Sequence, residues 1–543
     1  MQSSQQWRIR GCLAMHQRRA LSSQDFPPGA RAYKRPVSDI ASRDGSASAF
    51  NCTAPCIPLP KMLTEPLEYA QHFVDFLNEA PTPYHAVAYA KKQLSESGFV
   101  ELKEKDAWED KVKKTGKYFV TRNTSSLIAF SVGDTYTNGN GVAIVGAHTD
   151  SPCLRIKPIS KKNKEGFMQV GVEVYGGMLA HTWFDRDLSV AGRVYVKRDG
   201  QLVPKLVNLH RPLLRIPTLA IHFDRLANQK FEFNKEEKLV PIAGQVAHDK
   251  HEVEETKKKP TSCADDPALQ MSSEQFESVQ SVVQRHNNTL LELIATDLDA
   301  KVEDIEDFEL VLYDYQASTL GGLNNEFIFS GRLDNLTSCY CAVQAIVQSK
   351  PSDHIQMISL FDHEEIGSVS AQGAQSSFLP DVLDRISGID FSGESSFKTF
   401  LPQLRSNSFL LSSDMAHGIH PNYTLNYEEK NKPQVNGGPV IKINANQRYA
   451  TNSAGIVMLK QIANKAKVPL QLFVVRNDHP CGSTIGPLLS AKLGMRTLDL
   501  GNPQLSMHSI RETGGSFDIK KLVDLFRGFF ETYTEVSQLT VVD

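Results

Sequence analysis

The sequence predicts an α/β protein in which helices flank a central sheet and a mainly β segment is inserted. Helix and strand signals alternate from about residue 64 to residue 157, and the alternation resumes after about residue 310. Between these stretches, "FMQVGVEVYGG" (167–177) has the period-two alternation of a half-buried strand, and further β-like pieces follow it. The 543 residues, 41% hydrophobic and 22% charged, suffice for a large core.

Four segments follow from this pattern. Residues 1–61 are rich in arginine and serine and poor in acids, which is compatible with a mitochondrial or plastid presequence, a disordered extension, or a true start at Met62. Residues 62–158 are predicted to form the first part of the α/β domain and residues 159–310 the β-rich insertion. Residues 311–543 are predicted to complete the α/β domain.

The first α/β part is predicted to open with a helix. Thr64 and Pro66 resemble a helix start, and they precede an apolar stripe at helical spacing that consists of Tyr69, Phe73, Phe76 and Leu77. Further along, the apolar run 142–145 predicts a buried strand. This strand leads into "GAHTDSPCLR" (146–155).

The second α/β part contains several predicted strands with helical segments between them. The strands are "IQMISLF", "SFLLSSD", "QLFVVR" and "RTLDLG", and the helical segments include 336–348 and 453–467. This alternation favours an open sheet, in which ligands bind beyond the carboxyl ends of the strands.

Charge and cysteine usage narrow the possible partners. The formal net charge of −3 gives no basic field for nucleic acid or an anionic membrane surface. The sequence also has no apolar run of about 18 residues that would span a bilayer. The eight scattered cysteines suit neither a disulfide framework nor a zinc knuckle, so reduced thiols in a cytoplasmic protein are expected.

Ionisable residues recur where the predicted strands end. The set comprises His148, Asp150, Asp334, Glu364, Glu365, Asp414 and His508. Taken singly, each has a structural explanation, since an aspartate can cap a helix and a histidine can be a hydrogen-bonded core residue. Taken together, they would place like charges in one crevice at a cost of several kcal/mol. Divalent cations would remove that cost.

The residue types indicate the metal and its chemistry. Imidazole and carboxylate without thiolate fit zinc or manganese, and the surplus of carboxylates predicts two ions that share one of them. Glu364 and Glu365 point in different directions, so one can bind metal while the other handles a proton. Asp150, two residues after His148 on the same face, can accept the ring N–H that the metal does not use.

Several long motifs occur in order from about residue 65 to the C-terminus. They are "GAHTDSPCLRIKP", "TWFDRDLSVAGRV", "RPLLRIPTLAIH", "GRLDN", "DHEEIGS", "SDMAHGIHPNY", "RNDHPCGSTIGP" and "LDLGNPQLSMHSIRE". Together these motifs resemble the aspartyl aminopeptidases, a family of dinuclear zinc exopeptidases that also includes vacuolar aminopeptidase I. The resemblance implies a central mixed sheet of the zinc exopeptidase type and hydrolysis of the N-terminal bond of peptides that begin with Asp or Glu.

The resemblance also implies roles for individual residues. One of two zinc ions per subunit would be held by His148 and Asp414, and the other by Glu365 and His508. Asp334 would bridge the two ions, Glu364 would act as the general base, and Asp150 would orient His148. The substrate would be contacted by Glu364, Asp414, His417, Lys442 and Tyr449.

The family further implies an oligomer. His222 resembles a histidine that enters the active site of a neighbouring subunit, and the β insertion at 159–310 would form dimers that build a dodecamer.

Three other functions stay open. They are a vacuolar-type aminopeptidase with a neutral, leucine-like preference, a metal-dependent deacylase or glycosidase, and a non-enzymatic assembly protein with a vestigial site.

Overall fold

The computed structural model describes residues 63–251, 278–350, 352–391 and 400–542. The predicted extension 1–61 lies outside them. The helices are α1 (Pro66–Glu79), α2 (Pro83–Glu96), α3 (Lys235–Lys238), α4 (Val282–Arg285), α5 (Asn288–Asp297), α6 (Leu333–Gln348), α7 (Phe378–Ser387), α8 (Leu401–Ser406), α9 (Ser453–Ala466), α10 (Ile485–Leu493) and α11 (Ser516–Leu539).

Twenty strands form three sheets among the described residues. They are β1 (Val100–Leu102), β2 (Lys117–Arg122), β3 (Ser126–Val132), β4 (Val142–His148), β5 (Cys153–Lys164), β6 (Phe167–Tyr175), β7 (Leu188–Arg198), β8 (Gln201–Asn208), β9 (Ile242–Gln245), β10 (Ile305–Asp314), β11 (Thr319–Gly321), β12 (Phe327–Ser330), β13 (Ile355–Phe361), β14 (Phe409–Ser413), β15 (Ala416–His417), β16 (Val440–Ile443), β17 (Gln471–Val474), β18 (Arg496–Gly501), β19 (Pro503–Leu505) and β20 (Glu512–Gly515).

The largest sheet is mixed, which confirms the predicted fold class. Its nine strands run in the order β1-β2-β3-β13-β4-β14-β18-β16-β17. At its centre β13, β4 and β14 are parallel neighbours, whereas β3 and β16 pair antiparallel with β13 and β18. The antiparallel pairs lie on either side of this parallel centre, so the carboxyl ends of the central strands meet at one edge.

Helices cover both faces of this sheet. The side chains of β4 alternate between the two cores: Ala143 and Val145 pack with α1, α2, α6, α9 and α11, while Val142 and Ile144 pack with α7, α8 and α10. The long helix α11 contributes Phe526, fully buried, and each such side chain stabilises the fold by about 1.5–3 kcal/mol. Burial on both faces explains why β4 is apolar from Val142 to Ala147.

The first helix has the predicted face and a different cap. The stripe from Tyr69 to Leu77 is buried, as its helical spacing predicts. Glu65 takes the N-cap position in place of Thr64, because Glu65 and Glu68 form a reciprocal capping box.

The middle of the chain forms a separate antiparallel sheet. Its six strands run in the order β8-β7-β10-β5-β6-β9, from Cys153 to Asp314, and enclose their own apolar core. That the segment 159–310 serves assembly remains a prediction. A third, five-stranded sheet, β11-β12-β20-β19-β15, lies at the side of the site described next. None of the helices in the described part of the chain combines the length and apolar character that crossing a bilayer requires.

Candidate active site

Three adjacent strands of the central sheet bring four of the predicted residues to one edge. His148 is the last residue of β4, Asp414 directly follows β14, and Glu364 and Glu365 lie in a short 3-10 turn after β13. Because these strands are parallel neighbours, their carboxyl ends lie side by side. The four side chains therefore converge on one crevice.

Asp334 and His508 come from the smaller five-stranded sheet. Asp334 follows β12 in the first turn of α6, and His508 lies between β19 and β20 with a left-handed backbone, φ 66°. The prediction that all these residues lie at strand ends of one open sheet is wrong for Asp334 and His508. Local strand patterns predict that a strand ends before a residue, but they do not say which sheet the strand joins.

The side chains form three groups with metal-ligand spacing, and two of these groups share the Asp334 carboxylate. The third group consists of His148, Glu364 and Glu365. His148 Nε2 lies 3.3 Å from Asp334 Oδ1 and 3.5 Å from Asp414 Oδ1. On the other side of Asp334, His508 Nε2 lies 3.5 Å from Asp334 Oδ2 and 3.4 Å from Glu365 Oε1. The ligand atoms within each group lie within 4.8 Å of one another, which is the spacing that donors around one cation require. Asp334 thus offers one oxygen to each of the two groups that share it.

Buried oxygens without donors test whether cations fit there. Asp334 Oδ1, Glu365 Oε1 and Asp414 Oδ1 are buried, and within the described ranges no group donates a hydrogen bond to them. A buried carboxylate oxygen without a donor is costly and rare. All three atoms face the two groups, so divalent cations with imidazole and carboxylate ligands fit this arrangement.

The acid–base behaviour of the cluster reflects its unbalanced charge. Burial alone would lower the pKa of His508, but Asp334 and Glu365 outweigh it and raise the pKa to about 10. Burial raises the pKa of Glu364 to about 8, with Asp414 and Asp150 adding to the shift and His148 opposing it. The metal-free cluster therefore binds protons, and cations must displace protons from their ligands when they bind.

Asp150 holds the turn that carries the two glutamates. Its carboxylate accepts the backbone N–H groups of Glu364 at 3.0 Å and Glu365 at 3.1 Å, and the Tyr175 hydroxyl at 2.7 Å. His148 Nδ1 lies closer to the Asp150 carbonyl, 3.1 Å, than to its carboxylate, 3.4 Å. Asp150 therefore touches both His148 and the turn, although the sequence argument connects it only with the histidine.

Glu512 is a site residue that the sequence argument misses. It is buried, and its two oxygens accept the backbone N–H groups of His508 at 2.8 Å and Asp334 at 3.3 Å. Gln504 Nε2 donates a third bond at 3.2 Å. Glu512 thereby joins the two segments that reach the site from the smaller sheet. The sequence does show a glutamate four residues after His508, but the segment that forms β20 has the pattern of an ordinary strand.

We expect Glu512→Ala to weaken zinc binding by about 10- to 100-fold, the usual effect of removing a group that orients metal ligands. Competitive titration of metal-free protein with a zinc chelator measures this. Asp518→Ala is the matched control, because Asp518 is also a buried carboxylate that accepts two backbone N–H groups, those of Asn436 and Gly438. The control should lower thermal stability without weakening zinc binding. Equal zinc affinity in Glu512→Ala and the unmodified chain would contradict this role.

Three predicted substrate contacts lie beside Asp414. Lys442 Nζ is 3.4 Å from Asp414 Oδ2, donates to the Met415 carbonyl at 3.1 Å, and lies 5.2 Å from the Tyr449 ring centre. His417 lies three residues after Asp414. Burial lowers the pKa of His417, the charge of Lys442 lowers it further, and the charge of Asp414 opposes this shift. The structure therefore places Lys442, Tyr449 and His417 on one flank of the cluster.

His222 lies apart from the cluster in the single chain. It is on an exposed loop after the six-stranded sheet's β8, between Ile221 and Phe223, which are 45% and 82% exposed. No contact of the described residues joins it to the other predicted residues. Exposed apolar neighbours of this size are typical of a protein contact surface.

The fold and this edge of the sheet define a metal-dependent hydrolase. A mixed α/β sheet whose carboxyl edge gathers imidazoles and carboxylates around a shared aspartate is suited to activating water with divalent cations.

Comparison with known proteins agrees with this class of enzyme. The family model described as aminopeptidase I zinc metalloprotease (M18) matches residues 76–530, and the chain belongs to this family. It is 54% identical over 487 residues to aspartyl aminopeptidase 4 of Saccharomyces cerevisiae, covering 88% of this chain and 97% of that protein. It is 53% identical to the aspartyl aminopeptidase of Aspergillus oryzae, covering 87% and 98%. The predicted family and the predicted class of enzyme, a zinc-dependent aminopeptidase, are confirmed.

Solved structures share the fold. A cryo-EM structure of a complex of Ape4 with Nbr1 has a TM-score of 0.80 at 48% identity, covering 88% of each chain. A Saccharomyces cerevisiae mApe1 structure, which is a dodecamer, has a TM-score of 0.73 at 30% identity, covering 87% of this chain and 98% of that chain.

Proposed function

We propose that this chain removes N-terminal Asp or Glu residues from peptides, using two zinc ions per subunit and Glu364 as general base. The observation that carries the proposal is the position of Asp334, which belongs to two ligand groups, with Oδ1 facing His148 and Oδ2 facing His508. His148 and Asp414 would hold one ion with Asp334, and Glu365 and His508 would hold the other. When bound, the ions supply Lewis acidity and shift the pKa of water toward neutrality.

Glu364 is suited to moving the proton. Its carboxylate lies 3.9 Å from His148 Nε2, at the edge of the cluster. A carboxylate in this position can accept a proton from the attacking water and later donate it to the leaving amine. Asp150 keeps the carboxylate in position through the backbone N–H of Glu364.

Lys442 supports the preference for an acidic first residue. It is a buried ammonium beside Asp414 and Tyr449, on a flank of the cluster where the side chain of a bound first residue can lie. The acidic groups around Asp334 suit the free α-amino group of the peptide. Relatives at 54% and 53% identity are named aspartyl aminopeptidases, which agrees with this preference.

A peptide panel tests the proposal. Peptides that differ only in the first residue, Asp, Glu or Leu, are incubated with the zinc-loaded protein, and the released amino acid is quantified. We expect Asp and Glu to be released faster than Leu, and Lys442→Met to reduce the Asp-to-Leu ratio of kcat/KM by about 10- to 100-fold, the value of a hydrogen bond to a charged group. Lys465→Met, which changes an exposed lysine paired with Glu535, should leave the ratio unchanged.

The alternatives predict other results in the same assay. Faster release of Leu than of Asp would favour the vacuolar-type preference. If the panel includes an acylated amine and a glycoside, hydrolysis of one of these without release of an amino acid from any peptide would favour a deacylase or glycosidase. A metal-loaded chain that releases nothing from any peptide would favour a non-enzymatic assembly role.

We also propose that the chain assembles into a dodecamer in which His222 reaches a neighbouring active site. The exposed apolar residues beside His222 and the dodecameric mApe1 structure support this assembly. Light scattering on the purified protein should give about twelve times the chain mass. A monomer that is fully active at assay concentration would contradict it.

A further inference from the structure

A cavity beside the cluster has no role in the mechanism described so far. It has a volume of about 330 Å³ and is lined by residues that include His417, Phe473, Val475, Tyr423, Tyr427 and Pro480. This volume lies at the lower end of the range for small-molecule sites, about 300–1,000 Å³. It suits one or two residues of a peptide.

The cavity adjoins the candidate active site at His417. The imidazole of His417 lines the cavity, and the charges of Asp334, Asp414 and His508 act on the same ring. Phe473, which packs edge-on to His417 with ring centres 5.7 Å apart, belongs to β17. Its neighbour in register on β16 is Lys442. The inner wall therefore adjoins both the cluster and the residue proposed to bind the first side chain.

The outer wall opens to solvent and is held in place. Tyr423 is 60% exposed and packs edge-on against His420, with ring centres 4.8 Å apart. Arg476 donates to the Leu425 carbonyl at 2.9 Å and to both carboxylate oxygens of Asp478, at 2.8 and 2.6 Å. These bonds tie the loop after β17 to the 3-10 helix Pro421–Asn426, which forms the opposite wall.

We propose that this cavity binds the second residue of the substrate, on the leaving side of the scissile bond, and favours an aromatic side chain there. The inference rests on the proposed aminopeptidase function. An exopeptidase must keep its leaving side open, because substrates differ in length beyond the first residue, and this cavity both adjoins the cluster and reaches solvent. Its walls are mainly aromatic, imidazole and aliphatic groups, and aromatic rings pack well edge-on or offset against such walls.

Two peptides with the same first residue test the inference. For the zinc-loaded protein, kcat/KM for release of aspartate should be at least about 10-fold higher from Asp-Phe-Ala than from Asp-Gly-Ala, because only the former buries a large apolar side chain. Tyr423→Ala should lower kcat/KM for Asp-Phe-Ala by about 3- to 10-fold. The same variant should leave the value for Asp-Gly-Ala within about twofold.

A matched control and a second variant keep the test decisive. Leu425→Ala changes an 84% exposed side chain of the same 3-10 helix that is not part of the cavity lining, and it should affect neither peptide. Val475→Phe narrows the cavity from its other wall and should reduce cleavage of Asp-Phe-Ala more than that of Asp-Gly-Ala.

The outcomes separate this inference from the function on which it rests. If neither peptide releases aspartate, the proposed function fails. If both release it at equal rates and neither Tyr423→Ala nor Val475→Phe changes their ratio, only the inference is overturned. It is also overturned if Tyr423→Ala changes the oligomeric state by light scattering and affects both peptides equally, since the cavity would then be a contact between chains.

Discussion

Glu364→Gln is expected to retain both zinc ions while its turnover of an N-terminal Asp peptide falls by about 10²- to 10⁴-fold, the usual contribution of a general acid–base group. The amide keeps the size and position of the side chain, but it cannot accept a proton. The change leaves the side chain buried, and the backbone N–H of residue 364 still donates to the Asp150 carboxylate. Steady-state kinetics and elemental analysis of the same preparation measure the two effects.

Its neighbour supplies the control. Glu365 Oε1 faces His508 and Asp334, so Glu365→Gln should lose zinc as well as turnover. The two variants differ only in which of two adjacent carboxylates is changed. Near-normal turnover in Glu364→Gln would show that the general base is wrongly assigned. Loss of zinc from Glu364→Gln would show that this residue is a ligand.

Asp334→Asn is expected to weaken the binding of both ions, because Asp334 belongs to two ligand groups, one with His148 and Asp414 and the other with Glu365 and His508. Asp414 belongs to one of these two groups only, so Asp414→Asn should weaken the binding of one ion and leave the other in place. Titration with zinc, followed by elemental analysis after gel filtration, distinguishes these results. Loss of a single ion from Asp334→Asn would contradict a bridging role.

Comparison of Asp334→Asn with the unmodified chain also gives a stability test. In the metal-free chain the Asp334 carboxylate lies among other acids and raises the pKa of Glu365 and Glu512, whose burial is the larger cause of their shifts. Burial acts to raise the pKa of Asp334 itself, but its contacts with His148 and His508 outweigh burial and hold that pKa well below the ordinary value. Replacing the charge removes these two ion pairs, so metal-free Asp334→Asn should be less stable than the metal-free unmodified chain. Zinc should raise the melting temperature of the unmodified chain much more than that of the variant.

The sequence predicts the parts of this molecule that depend on local pattern. The helical stripe from Tyr69 to Leu77 and the segments 336–348 and 453–467 correspond to α1, α6 and α9. The alternation of 167–177 corresponds to β6. These elements follow from the spacing of apolar residues, which burial on one face imposes. The motifs also predict the family, which the comparisons confirm.

The remainder depends on contacts between distant segments. No local pattern states that β12, β19 and β20 leave the central sheet, although their placement is what brings Asp334 to His508. The role of Glu512 could not be predicted for the same reason, since its partners are backbone groups of residues from two distant segments. The roles of the individual residues and the role of segment 159–310 stay predictions until the variants above are measured.

The most direct test of the central claim, that the shared aspartate organises a two-ion site, is the zinc content and activity of one preparation before and after exhaustive chelation. We expect two zinc ions per chain, loss of aspartate release when both are removed, and recovery when zinc is restored. Full activity in protein that contains no detectable metal would contradict the account.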